Sequence, residues 1–109
     1  MQVHTFERDA ITCIALVGEL DHHAARQAMD EIARIYDKLL PPTAELDMGG
    51  VSFMDSSGIA LILSALRRAR EIGGKLRVSH VPHQAMRVLN AAGIERLVEI
   101  VPEVEREVF

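Results

Sequence analysis

Apolar and polar positions alternate over residues 2–7, with Val3 and Thr5 on one side and His4 and Phe6 on the other. A period of two is the mark of a strand with two different faces. Residues 10–17 carry Ile11, Thr12, Ile14 and Val17, β-branched types that favour a buried strand. A polar turn at Arg8-Asp9 joins the two into an opening hairpin. Gly18-Glu19-Leu20-Asp21 breaks the alternation, and the period then lengthens. Ala25, Met29, Ile32, Ile35 or Tyr36, and Leu39 recur at three- and four-residue steps, with Arg26, Asp30, Arg34 and Asp37 opposite. That is an amphipathic helix. Asp21 is placed to cap it and Pro41-Pro42 to end it.

Residues 44–48 form a short strand with Leu46 and Met48 pointing one way, and Gly49-Gly50 opens a connection running to Asp55. A second helix starts near Ser56 or Ser57. Its stripe is Ile59, Ile62, Leu63, Leu66, Ala69 and Ile72 or Gly73, and Gly73-Gly74 stops it. Residues 75–79 make a strand with Leu76 and Val78 inward. Pro82 begins a third helix carrying Met86, Leu89 and Ala92, and Gly93 ends it. A last strand spans residues 97–101, and residues 102–109 form a closing helix or a tail. Strands alternating with helices predict an α/β domain with a mostly parallel sheet, mixed because the N-terminal strand is antiparallel. The expected core contains Ile14, Ile32, Leu46, Ile62, Leu66, Leu76, Val78 and Leu89.

The chain has 109 residues, room for one domain, residues 1–109. Hydrophobic residues are 49% and charged residues 26%, an ordinary globular balance that argues against disorder. Twelve Lys and Arg against sixteen Asp and Glu give a net charge of −4, unlike the basic surface that nucleic acid selects. The apolar run from Ile59 to Leu66 is broken by Ser64 and far short of the roughly 20 residues that span a bilayer. Glu7, Arg8 and Asp9 stand where a signal peptide would be apolar. The expectation is a cytoplasmic protein that binds neither nucleic acid nor membrane directly. Cys13, the single cysteine, reads as a small buried hydrophobe.

Met54-Asp55-Ser56-Ser57-Gly58 places two hydroxyls at a helix start, where unpaired N–H groups and the helix dipole accept a phosphate readily. Asp55 or one of the serines also serves as an ordinary cap there. A hydrolase would need a base for the serine. His80 and His83 are the available imidazoles, and the Gly-x-Ser-x-Gly elbow is absent. Asp21-His22-His23 resembles metal-ligand material, but adjacent helical residues point about 100° apart and no spaced partner completes a set. No phosphate-loop motif occurs, and no cofactor is expected. The cations Arg67, Arg68, Arg70, Lys75 and Arg77, and the acids from Glu95 onward, read as solvated faces.

Three motifs at these spacings carry a resemblance that spans the chain. They are Gly18-Glu19-Leu20-Asp21-His22-His23, the run Val51-Ser52-Phe53-Met54-Asp55-Ser56-Ser57-Gly58, and Ile72-Gly73-Gly74. The chain resembles a STAS domain, specifically the bacterial anti-sigma-factor antagonist of the stage II sporulation type. It departs at Ile59-Ala60, where the family often has Leu-Gly, and at Asp47-Met48-Gly49-Gly50. The resemblance implies a non-enzymatic partner switch. The unphosphorylated antagonist binds an anti-sigma factor that is a serine kinase, and the sigma factor is released. The kinase phosphorylates the antagonist at the position of Ser56, and a serine phosphatase of the sporulation type resets it. Asp21, Asp55, Ser56, Ser57 and Gly58 are then the expected partner-binding residues. A ligand- or nucleotide-binding STAS domain, and a general-stress rather than a sporulation pathway, stay open as alternatives.

Overall fold

The strand and helix order expected from the periodicity is the order found. The computed structural model describes residues 1–102. It runs β1 (Gln2–Arg8), β2 (Ile11–Leu20), α1 (His22–Leu39), β3 (Thr43–Met54), α2 (Ser57–Glu71), β4 (Lys75–Ser79), α3 (His83–Ala92), a single 3₁₀ turn (Ile94–Arg96) and β5 (Glu99–Ile100). The sheet order is β1-β2-β3-β4-β5, with β1 antiparallel to β2 and every other pair parallel. The mixed α/β sheet with an antiparallel N-terminal strand is therefore correct. The expected closing helix or tail falls, over residues 103–109, outside the described residues.

Several boundaries move for physical reasons. The hairpin turn is Asp9-Ala10, one residue later than expected, and both residues have positive φ, as the two-residue hairpin turn requires. The last strand shrinks to Glu99–Ile100, because the 3₁₀ turn takes up the chain before it, and Leu97 is exposed. The larger correction is β3, a 12-residue strand rather than a five-residue one. Gly49-Gly50 is not a loop. The register passes from Ala15↔Asp47 to Val17↔Gly50, so β3 carries an extra residue there, and another between Val51 and Phe53. These bulges let β3 run on beside β2, which itself continues through Gly18 and Glu19 to Leu20. Gly50 permits the close approach: a Cβ there would lie 2.9 Å from the Leu16 carbonyl oxygen and 2.9 Å from Val17 Cγ2.

α1 and α2 lie side by side over one face of the sheet. That face is Ile14 and Leu16 from β2, Ala44, Leu46 and Met48 from β3, and Leu76 and Val78 from β4, all buried. All eight residues expected in the core are in it. The buried arc of α2 is rotated from the expected stripe. Leu61 and Ala65 are buried, Ile59 and Leu63 only half so, and Ile72 is exposed. On α1, Ala24 and Ala28 join the buried face while Leu39 is exposed, and on α3 Ala92 is exposed.

The opposite sheet face holds a buried charge that the strand pattern concealed. Glu45, 4% exposed, alternates with Ala44 and Leu46. Its carboxylate accepts from Arg77 Nε at 2.6 Å, Ser79 Oγ at 2.8 Å and an Arg8 guanidinium nitrogen at 3.4 Å. Arg77 is therefore committed to a buried partner, while Arg68 makes a solvated surface pair with Asp37 at 3.1 Å. Burial pushes the Glu45 carboxyl up. The Ser79 and Arg77 hydrogen bonds and the Arg77 and Arg8 charges outweigh it and hold the group below its ordinary value of 4.5. The folded protein then releases this proton more readily than the unfolded chain. The stabilisation is complete above that ordinary value and is lost as pH falls through the lower folded one. Urea midpoints of wild type and Glu45→Gln should differ at pH 7 and converge in acid. A difference independent of pH would remove the carboxylate from that role. Cys13, on the same face, is buried as expected, and desolvation raises its thiol pKa.

Candidate functional site

β2 and β3 end together, and that register builds the site. Leu20 pairs with Met54, so Asp21 and Asp55 follow at adjacent strand ends. The Asp55 N–H donates to the Leu20 carbonyl at 3.3 Å, tying the two turns. α1 and α2 start side by side at the carboxyl edge of the parallel strands, where open α/β sheets gather their functional loops. The expected nearness of Asp21 to the serine turn follows from this pairing.

Each aspartate closes its own turn. Asp21 is the N-cap of α1, and its Oδ1 accepts from the Ala24 N–H at 2.9 Å. Asp55 Oδ1 accepts from the Ser57 N–H at 2.8 Å. The capping question left open by the sequence is thus answered: Asp55 caps α2, and Ser56, at the N-cap position, makes no side-chain cap bond. Ser56 is exposed, Ser57 half-buried and Asp55 half-buried. Gly58, expected at the partner surface, is instead buried, and the reason is steric. A Cβ there would overlap Met54 Sδ and Cγ and lie 3.2 Å from Leu20 Cδ2. Gly58 sets how closely α2 packs on the ends of β2 and β3. Phe53, 45% exposed, adds an apolar surface beside the turn.

Gln84 was not singled out by sequence reasoning. Pairing between β3 and β4 ends at Asp47↔Ser79, so the last seven residues of β3 have no strand on that side. Gln84, on the first turn of α3, fills the gap at Met54. Its Oε1 accepts from the Met54 N–H at 2.9 Å and its Nε2 donates to the Met54 carbonyl at 2.8 Å. The side-chain amide acts as a strand residue would, and it locks α3 to the turn carrying Ser56. An isolated Gln in a helix reads as a side chain facing solvent, so no local signal marked it. Between α2 and α3 lies an open groove of about 450 Å³, lined by Ser56, Ile59, Gln84, Arg87, Val88 and Ala91.

The imidazoles considered for other chemistry make no hydrogen bond to Ser56, and His83 is the exposed first residue of α3. His80 pairs with Asp47 at 3.3 Å, and His22 and His23 are exposed on the first turn of α1. Among the described residues no group of three or more His, Cys, Asp or Glu side chains is placed to hold a metal ion. No helix among them is long and apolar enough to cross a membrane.

The family model for the STAS domain matches residues 2–107. The chain belongs to the STAS domain family. This STAS domain is similar to an anti-sigma F factor antagonist of Lysinibacillus sphaericus, 35% identical over 74 residues. That match takes in 68% of this chain and spans 62% of the Lysinibacillus protein. Among solved structures it is similar to the anti-sigma factor antagonist SpoIIAA in its unphosphorylated form, with a TM-score of 0.70 and 26% identity over 95% of this chain and 91% of that one. It is similar also to the Bacillus cell fate determinant SpoIIAA in the phosphorylated form, with a TM-score of 0.68 and 25% identity over 94% and 93%.

Proposed function

We propose that this STAS domain is an anti-sigma-factor antagonist of the SpoIIAA type, a regulatory binding module rather than an enzyme. In its unphosphorylated form it binds an anti-sigma factor that is a serine kinase, and the sigma factor is freed. Phosphorylation of Ser56 ends that binding, and a serine phosphatase restores it. The observation that carries the reading is the state of Ser56. Ser56 is exposed, and Asp55 takes the capping work, so a kinase meets a serine whose hydroxyl makes no cap bond. Solved relatives of the same fold named as unphosphorylated and phosphorylated forms of one protein support a switch of this kind.

The partner surface centres on Asp21, Asp55 and Ser56, with Ser57 at its edge and Gly58 beneath. A phosphate adds about −1.5 to −2 charge. Beside two aspartates, it turns a mildly acidic patch into a strongly acidic one. A partner group placed against a neutral serine hydroxyl then meets charge and its hydration.

The deciding experiment incubates the protein with a sporulation-type serine-kinase anti-sigma factor and ATP and follows intact mass. One phosphate, mapped to Ser56 and absent from Ser56→Ala, is the expected result. No gain, or a phosphate on Ser57, overturns the proposal. Asp21 is tested separately. Asp21→Asn keeps the cap and should leave stability within about 0.5 kcal/mol, because Asn caps as well as Asp. It should still bind the kinase more weakly. Unchanged binding and phosphorylation would leave Asp21 as a cap alone.

A further inference from the structure

We propose that Arg87 is an internal receptor for a phosphate on Ser56, so that the modified serine is held by α3 of its own chain. This deepens the reading of Ser56 as phosphoacceptor and rests on it. Three observations carry it. The first is the face of α3: Gln84, Arg87, Val88 and Ala91 follow the i, i+3, i+4, i+7 spacing of one helix face, and all four line the groove that Ser56 lines. The second is the anchoring of that face. The two hydrogen bonds between Gln84 and Met54 fix α3 against the residue two positions before Ser56. Arg87 then sits one helical turn further along the same face. The third is that Arg87 is exposed and makes no ion pair among the described residues. Arg77, by contrast, is committed to the buried Glu45 carboxylate.

The chemistry fits phosphate better than the unmodified serine. A guanidinium offers two parallel N–H donors matched to two phosphate oxygens, a stronger contact than it makes with a neutral hydroxyl. The other groove walls, Ile59, Val88 and Ala91, offer no competing charge. The unphosphorylated protein presents an open groove and a guanidinium with no ion-pair partner among the described residues. The phosphorylated one draws the two together, which neutralises Arg87 and narrows the groove. Phosphorylation thereby changes the surface of α3 as well as the charge at the serine.

The test installs phosphoserine at position 56 during synthesis of the full chain, by genetic code expansion, so no kinase is needed. The phosphate's second ionisation is then followed by phosphorus NMR in the wild-type background and in Arg87→Gln, Arg87→Lys and Arg67→Gln. The other titratable groups on the surrounding turns are Glu19, Asp21, His22, His23 and Asp55, with His83 on α3. All are common to every variant, so the difference from Arg87→Gln isolates the guanidinium. The wild-type background should ionise lower than Arg87→Gln by about half a unit to one unit, a partly exposed pair shifting less than a buried one. Arg87→Lys should fall between them, keeping the charge without the bidentate fork. Arg67→Gln, three turns along α2 from Ser56, should match the wild-type background. Equal values in wild-type and Arg87→Gln backgrounds, or an equal shift from Arg67→Gln, overturn the proposal. Failure of a kinase to label Ser56 would instead strike the phosphoacceptor reading and leave this result standing.

Discussion

Replacing Gly58 by valine should lower the stability of the fold by about 3 kcal/mol, the upper end of ordinary overpacking costs. The position is helical, so propensity alone favours a side chain: alanine exceeds glycine by about 1 kcal/mol inside a helix. Packing overrides propensity here. A Cβ would occupy space already taken by Met54 Sδ and Cγ, and Met54 is fully buried, with Leu20 Cδ2 behind at 3.2 Å. The Met54 backbone is held by Gln84 from α3, and the N–H of the next residue, Asp55, by the Leu20 carbonyl of β2. The Met54 side chain must shift within a close-packed core to admit a Cβ. Gly58→Ala should be milder, its propensity gain offsetting part of the overlap. Gly58→Val adds two methyl groups and the rotamer restriction of a β-branched residue. Urea melts of the three proteins measure this. A wild-type midpoint for Gly58→Val would mean that α2 can lift off the strand ends, and that the glycine does not set the packing of the turn.

The sequence revealed most where one physical signal acted alone. The helices declared themselves by period, and their ends by residues with plain capping or breaking chemistry: Asp21 at the start of α1, Pro41-Pro42 after it, and Gly93, which takes a positive φ of 69° after α3. The errors lie where tertiary structure supplied what local chemistry lacked. Gly49-Gly50 has the composition of a loop, yet β2 on one side and two bulges keep it in the sheet. Glu45 sits between apolar neighbours, and only the fold brings Arg8, Arg77 and Ser79 to it from two other strands. α2 buries an arc rotated from its stripe because it meets α1, the sheet and α3 at once, so Leu61 and Ala65 count as core while Ile72 does not. At the site, Asp21, Asp55 and the serines were legible as a group through motif resemblance. Gln84 and Arg87 were not, because their importance comes from α3 lying against the end of β3, a contact 30 residues apart in sequence.

The largest functional effect should come from charge at residue 56. Ser56→Ala removes an exposed hydroxyl that makes no cap bond, so the fold and the cap by Asp55 stay intact. This variant should bind the serine-kinase anti-sigma factor about as tightly as the wild-type protein and resist inactivation by ATP. Ser56→Asp adds one negative charge beside Asp55 and near Asp21. A like charge or apolar surface across a desolvated contact costs on the order of 1–3 kcal/mol, so binding should weaken about ten- to hundredfold. Authentic phosphate should weaken it further, because it brings about −1.5 to −2 charge and three acceptor oxygens. If Arg87 answers that charge within the chain, its pairing narrows the groove and the loss grows rather than shrinks. Ser57→Ala should behave almost as wild type: it is the Ser57 backbone N–H that Asp55 holds, and that group survives the substitution. Affinity measured with ADP in the kinase, across the three variants and the phosphoserine protein, should rank Ser56→Ala first, Ser56→Asp well below and phosphoserine last. Equal binding by Ser56→Asp and Ser56→Ala would place the partner contact away from this turn, however well the turn is built to receive it.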